Sequence, residues 1–118
     1  MLINDVYQHL HQHPDLSGQE YDTTKFIASL FDESQYICHK LSNTGLIFKS
    51  LTNFTEDVVF RCDIDALKIK ENTNVSYTSL NDNMHACGHD IHMSSIILLM
   101  NNLLNKDIMK YNVVFVFQ

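Results

Sequence analysis

The chain has 118 residues, of which 45% are hydrophobic and 19% are charged, with three glycines and one proline. This is ordinary globular composition for about one domain, which excludes a disordered or repetitive protein. A formal net charge of −6 without a basic cluster argues against a nucleic-acid surface. No apolar run reaches the roughly 18 residues that span a bilayer. We therefore expect no membrane partner, and since the N-terminus lacks a signal-peptide pattern, no secretory signal.

The predicted elements begin with two helices. Apolar residues at helical spacing predict a helix over residues 2–12, which ends before Pro14. Ser17 stands three residues before Glu20, as in a capping box, and predicts the start of a second helix over 19–33. The later elements are strands at 36–41, 46–51 and 58–64, a helix from 90 to about 105, and a strand at 113–117.

This order of elements predicts an α/β fold with a sheet of mixed or parallel pairing. The continuous apolar run Val58-Val59-Phe60 is typical of a central strand. The sequence stops at Gln118, directly after an apolar strand, whereas functional groups of α/β proteins usually follow such strand ends. We therefore expect a truncated chain.

Metal-binding side chains are concentrated in residues 84–93, MHACGHDIHM. Gly88 removes the Cβ that would restrict the turn between Cys87 and His89, so a thiolate and an imidazole can converge on one ion. Asp90 could accept a hydrogen bond from an imidazole, and His92 could share a helical side with His89. An open catalytic zinc site needs at least three protein ligands. This segment offers two convincing ones.

A second candidate segment is RCDIDAL, residues 61–67, at the end of an apolar strand. Alternation places Asp63 and Asp65 on the same side. They are either charges on an exposed strand end or carboxylates that orient a metal-bound histidine. Cys62 is predicted to be a small buried core residue.

Other candidate side chains are predicted to be structural. His9, His11 and His13 alternate along the first helix, which would scatter them around its surface, so we expect no metal role for them. The three cysteines are odd in number and widely spaced, which predicts free thiols and a cytoplasmic location. Surface or core positions are predicted for Cys38 and His39, and for Met93, Met100 and Met109.

Five sequence blocks occur in an order that resembles a known family. They are HPDLS at 13–17 with Glu20 and Thr24, TG at 44–45, RCDIDAL at 61–67, MHACGHD at 84–90 and VFVFQ at 114–118. Together they resemble the N-terminal part of metal-dependent amidohydrolases of the aminoacylase, hippurate hydrolase and N-acetyldiaminopimelate deacetylase type. The resemblance implies that residues 1–118 form the N-terminal segment of a mixed-sheet, zinc-peptidase-like catalytic domain.

The resemblance also implies a site and a reaction. Cys87 and His89 would be two ligands of a two-metal site holding manganese, zinc, cobalt or nickel. Asp65 would support this site from close by, with Asp63 a weaker neighbour. The family hydrolyses N-acyl amino acids or small peptide-like substrates: two metals polarise the acyl carbonyl and lower the pKa of a bridging water. A glutamate acts as general base.

Part of that machinery is expected to be absent. In the family, a strand ending like Phe117-Gln118 continues into Pro-Ala-Glu-Glu, which supplies the general base and a further ligand. Two ligand histidines and an inserted dimerisation domain come later. We therefore expect the chain to be inactive alone unless a second polypeptide completes it. The alternative is a non-catalytic fragment that folds, self-associates through exposed strand edges and binds metal weakly at most.

Overall fold

The described residues form a four-stranded mixed sheet with helices packed on it. The computed structural model describes residues 1–104, 106 and 110–118. The elements are α1 (Ile3–Gln12), α2 (Tyr21–Ser29), β1 (Tyr36–Leu41), β2 (Gly45–Ser50), β3 (Asp57–Cys62), α3 (His89–Leu103) and β4 (Asn112–Phe117). The strand order is β1-β2-β4-β3, with β3 and β4 parallel and the other neighbours antiparallel. The predicted α/β class with a mixed sheet is confirmed.

The core lies on one face of this sheet. The strand register places Phe48, Phe115 and Phe60 side by side on the face that the helices cover. Phe48 and Phe115 are fully buried, and Phe60 stacks on Phe115 with ring centroids 5.7 Å apart. The helices contribute Val6 and Leu10 from α1, Ile27 from α2, and Met93, Ile97 and Met100 from α3. Two predicted core methionines are thus confirmed, and Met109 lies outside the described residues.

Most predicted boundaries agree with the structure within two residues. β1 spans the predicted range, and α3 starts at His89, one residue before its predicted start. Its predicted end near Asn105 lies outside the described residues. None of the helices in the described ranges has the length and apolar character that crossing a membrane requires.

The predicted start of α2 is wrong in its capping chemistry. Ser17 makes no capping bond to the helix, and the Glu20 carboxylate accepts a hydrogen bond from the Gly18 N–H at 2.9 Å. Asp15 instead accepts hydrogen bonds from the N–H and the hydroxyl of Thr23, at 2.9 and 2.8 Å. A carboxylate eight residues upstream therefore satisfies a first-turn donor of α2.

The predicted end of α2 is also wrong, since the helix stops at Ser29 rather than near residue 33. The Asp32 side chain accepts hydrogen bonds from the N–H and the hydroxyl of Ser34, which forms a local turn. Aspartate side chains compete with the helix in this way because they bind nearby backbone donors in non-helical conformations.

β3 is an edge strand of the described sheet, which corrects the central position predicted from its apolar run. It pairs with β4, and its second edge has no strand partner among the described residues. Val59 is 58% exposed. A continuous apolar run is typical of burial on both faces, whereas the described helices cover one face.

Candidate metal centre

A left-handed glycine forms the turn Cys87-Gly88-His89 that leads into α3, which we call the ligand turn because it carries the two predicted metal ligands. Gly88 has a φ of 80° and directly precedes the first helical residue, His89. A Cβ built at this position would meet no atom within 4 Å, so the backbone conformation and not the available space requires glycine. In this turn Cys87 is exposed and His89 is partly exposed.

The side chain of His89 is oriented by Asp65, just past the end of β3. Its Nδ1 lies 2.9 Å from the Asp65 carbonyl oxygen and 3.0 Å from the Asp65 carboxylate. A ring nitrogen that faces two acceptor oxygens carries the proton and donates it. The lone pair therefore resides on Nε2, the state that a metal-binding histidine needs.

The neighbouring carboxylate, Asp63, is held differently. It pairs with Arg61 at 2.8 Å, and its nearest approach to His89 Nε2 is 3.9 Å. Both aspartates therefore lie beside His89, but only Asp65 fixes the ring. Cys62, at the end of β3, is buried as predicted, and this burial raises the pKa of its thiol to about 12.

The donor set fits a metal ion in part. A solvent-facing thiol and an imidazole with its Nδ1 already bound to a carboxylate suit a borderline ion such as zinc. Within the described residues, however, no group of three His, Cys, Asp or Glu side chains is placed to hold one ion. Cys87 and His89 stay two predicted ligands, and a site built on them would need at least one more protein ligand.

His11 corrects the sequence analysis, which placed it on the surface of α1. It is 7% exposed, with Nδ1 2.7 Å from Asp90 and Nε2 3.0 Å from Glu71. Alternating positions on a helix point in nearly opposite directions, so His11 faces α3 while His9 stacks on Phe26. The two carboxylates lie 79 and 60 residues away along the chain, so no local sequence pattern predicts these contacts.

Asp90 accepts a hydrogen bond from an imidazole, as predicted, but that imidazole belongs to α1 rather than to the ligand turn. Its side chain is 2% exposed and also accepts the Ile91 N–H at 2.9 Å. Burial by itself lowers the pKa of His11, yet the hydrogen bonds and charges of Asp90 and Glu71 outweigh it and raise that pKa.

Two further histidines lie close to this turn. His85 is 4% exposed, and neither of its ring nitrogens finds a hydrogen-bond partner among the described residues. Burial lowers the pKa of His85, although the Asp90 carboxylate partly opposes that shift. The His92 ring stacks on His89 with centroids 6.1 Å apart, so the two share a helical side as predicted.

A family model matches the C-terminal half of the chain. Residues 59–118 match the model of peptidase family M20/M25/M40, and this range holds most of β3, the Asp63–Asp65 segment, the Cys87-Gly88-His89 turn, α3 and β4.

Curated relatives cover the chain almost completely. An uncharacterized hydrolase of Staphylococcus saprophyticus is 44% identical over 99% of the chain and 31% of its own length. Another, from Staphylococcus haemolyticus, is 42% identical over 94% of the chain and 30% of its own length. The chain thus spans about a third of the length of these relatives.

Solved structures agree with the described fold. The YXEP protein of Bacillus subtilis, a dinuclear metal binding peptidase from the M20 family, matches with a TM-score of 0.82 and 38% identity. That match covers 98% of this chain and 34% of the other. A structure from methicillin-resistant Staphylococcus aureus matches with a TM-score of 0.89 and 33% identity, over 98% of this chain and 32% of its own.

Proposed function

Because this chain belongs to peptidase family M20/M25/M40, we propose that it is the N-terminal part of a metal-dependent hydrolase that cleaves the amide bond of N-acyl amino acids. The observation that carries this proposal is the contact between Asp65 and His89 beside the exposed Cys87 thiol. A carboxylate bound to one nitrogen of a ligand histidine is a recurrent feature of metal sites. The proposal concerns the whole hydrolase, of which this chain spans about a third of the length.

Cys87 and His89 are the residues of this chain that would hold metal. Two divalent ions, drawn from manganese, zinc, cobalt or nickel, would supply Lewis-acid chemistry and an activated water when bound. The dinuclear metal site of the Bacillus subtilis relative supports two ions rather than one.

Asp65 and Arg61 would orient the predicted ligands and adjust the charge around them. Asp65 keeps the proton on His89 Nδ1 and fixes the ring plane, which would leave the Nε2 lone pair free for a metal ion. Arg61 neutralises Asp63, which limits the negative charge beside the ligands. No residue of this chain is assigned as general base. The substrate class, N-acyl amino acids or small peptide-like amides, rests on the resemblance of the MHACGHD and RCDIDAL segments to aminoacylase-type enzymes.

Metal binding tests the ligand assignment. Cys87→Ala should weaken cobalt or zinc binding at least about tenfold, the scale on which even residues that orient ligands matter. Cys38→Ala is the matched control, because Cys38 is also an exposed free cysteine but lies on β1. Calorimetric titration of both variants measures the effect. Equal metal uptake by the wild type and Cys87→Ala would exclude this ligand role.

Turnover tests the reaction class. We expect no hydrolysis of N-acetyl and N-benzoyl amino acids by this chain alone, with manganese or zinc added. We expect hydrolysis when the C-terminal part of a close relative, such as the Staphylococcus saprophyticus hydrolase, is co-expressed with it. Reconstituted activity that survives Cys87→Ala would contradict the proposed site.

The oxidation state of the three cysteines is relevant to the cellular compartment of the hydrolase. All three are free thiols in the structure. Free thiols persist in reducing compartments, and we propose that the hydrolase is cytoplasmic. Partial disulfide formation in the protein isolated from cells under thiol-blocking conditions would contradict this proposal.

A further inference from the structure

His11 joins three separate segments of the chain at one buried point. It lies on α1, Asp90 lies in the first turn of α3, and Glu71 lies in the polar segment between Ala66 and Met84. Glu71 also accepts the Ser79 N–H at 2.8 Å and the Thr73 hydroxyl, so it is tied to its own segment. Each imidazole nitrogen therefore bonds a carboxylate that is itself held by a hydrogen bond from a backbone N–H.

His11 lies in a largely buried environment. Its side chain is 9% exposed, and those of Asp90 and Glu71 are 2% and 3% exposed. Tyr7 and Tyr77 pack against the imidazole, with ring centroids 5.9 and 5.5 Å away. Burying a charged group raises the free energy of the folded state unless the group is paired. The paired arrangement of His11, Asp90 and Glu71 is therefore strongly favoured over arrangements that leave one of these groups without its partner.

The cluster meets the ligand turn through Asp90. Asp90 directly follows His89, and its carboxylate accepts hydrogen bonds from the His11 Nδ1–H and the Ile91 N–H. The Ile91 and His92 N–H groups in turn bond the Gly88 carbonyl at 3.1 Å each. A displacement of the Asp90 carboxylate therefore displaces the first turn of α3, to which His89 belongs.

We propose that His11 is a positioning residue, which sets the conformation of the Cys87-Gly88-His89 turn through its hydrogen bond to Asp90. The bond to Glu71 has a different role, because it attaches the polar segment to α1 and makes no contact with the ligand turn. The metal-binding consequence rests on the proposed function, whereas the structural coupling does not.

Two substitutions separate the bonds of His11. The amide nitrogen of asparagine is as many bonds from Cα as Nδ1, so His11→Asn can keep the bond to Asp90 and lose that to Glu71. The amide nitrogen of glutamine is as far from Cα as Nε2, so His11→Gln can keep the bond to Glu71 and lose that to Asp90. Both variants lose one buried hydrogen bond, so a merely structural role predicts similar losses for both.

Amide hydrogen exchange of the full chain, followed by NMR, measures the coupling without metal. We expect exchange at Ile91 and His92 to be about tenfold faster in His11→Gln than in His11→Asn, because a local opening reports the lost bond. Amides paired between β1 and β2 should exchange equally in both variants. Equal acceleration at Ile91 and His92 in both variants, or none in either, would overturn the proposal.

Two further variants keep the test decisive if a His11 variant fails to fold. Glu71→Gln removes a charge at the Nε2 side and should leave exchange at Ile91 and His92 unchanged. His9→Gln changes a neighbouring histidine of α1 outside the cluster and should do the same. Acceleration at these two amides in Glu71→Gln would contradict the separate roles of the two bonds.

Cobalt titration then tests the consequence for the site. His11→Gln should raise the Kd for cobalt about tenfold relative to His11→Asn, as expected for a residue that orients a ligand. Failure of the wild type to bind cobalt would count against the proposed function and leave the exchange result standing. Equal Kd values in the two variants, with different exchange rates, would restrict His11 to a structural role and overturn the positioning of the ligands.

Discussion

The orientation of the His89 ring depends on two oxygens of Asp65, one from the side chain and one from the backbone. Asp65→Ala removes the carboxylate and leaves the carbonyl acceptor at 2.9 Å, so the ring keeps part of its orientation. We expect cobalt affinity to fall about tenfold, as for other residues that orient metal-bound histidines. The matched control is Asp63→Ala, whose carboxylate is partly exposed and paired with Arg61. An equal loss in both variants would assign the effect to local charge instead.

The pH dependence of stability should distinguish His11 from His9. Asp90 and Glu71 raise the pKa of His11 above its usual 6.5 despite the opposing effect of burial. The folded state therefore holds this proton more tightly than the unfolded state. The resulting stabilisation is complete below pH 6.5 and is lost as the pH rises through the folded pKa.

His9 provides a control of opposite sign. Burial, with a smaller contribution from the charge of His13, lowers the pKa of His9 below 6.5. The folded state therefore holds this proton less tightly than the unfolded state, and His9 destabilises the fold at low pH. This destabilisation disappears as the pH rises through 6.5. Urea unfolding between about pH 5 and pH 9 should show that His11→Gln loses most stability at the acidic end. His9→Gln should lower the free energy of unfolding least at the acidic end. A loss independent of pH for His11→Gln would contradict the charged state of the cluster.

Sequence reasoning succeeds for the residues whose partners are signalled locally. Cys87, Gly88 and His89 are adjacent, and Asp65 stands at a predicted strand end, so their proximity could be expected. His11 could not be placed in this way. Its environment depends on how α1 packs against α3 and on a carboxylate in a segment without regular structure, and neither is encoded in the spacing of the α1 histidines.

At the scale of the element, the turn before α3 depends on a backbone conformation that L-residues rarely adopt. Gly88→Ala should lower the free energy of unfolding by about 1 kcal/mol, since a left-handed non-glycine residue costs roughly 1–2 kcal/mol. Gly18 is a matched control, because it also has a φ of 80° and open space around its Cβ position. We expect similar destabilisation by Gly18→Ala, with cobalt affinity reduced in Gly88→Ala alone. Equal affinities in both variants would show that the turn does not control the ligands.

Helix and strand identities were predictable because helical spacing or short apolar runs bounded by polar turns mark them along the chain, whereas two features were predicted wrongly. The start of α2 uses Asp15, which belongs to the preceding turn. The region beyond its end has a local cause, because the Asp32 side chain accepts a hydrogen bond from the Ser34 N–H two residues further on. β3 has the apolar run of a central strand but lies at an edge of the described sheet. Residue pattern reports how apolar a strand is, and not which neighbour covers it.

At the scale of the whole molecule, the second face of the sheet is apolar and has little cover. The register places Val59, Val114 and Lys49 together on this face, with Ile47 and Val116 beside them. Val114, Val116 and Ile47 are half-buried and Val59 is exposed. The radius of gyration is 14.8 Å, against about 13.5 Å expected for a compact chain of this length. The principal extents of 47, 28 and 21 Å describe an elongated body, which agrees with a sheet covered by helices on one side.

An exposed apolar edge strand is a site of association, because its backbone donors and acceptors can pair with another chain. We therefore expect the wild type to self-associate through β3, with a weight-average mass that rises with concentration in sedimentation equilibrium. Val59→Lys should shift this association to at least about tenfold higher concentration, since it places a charge on the contacting face. Leu80→Lys makes the same charge change at an exposed leucine far from β3 along the chain and should leave association unchanged. A wild type that stays monomeric throughout, or an equal effect of both substitutions, would remove β3 as the contact.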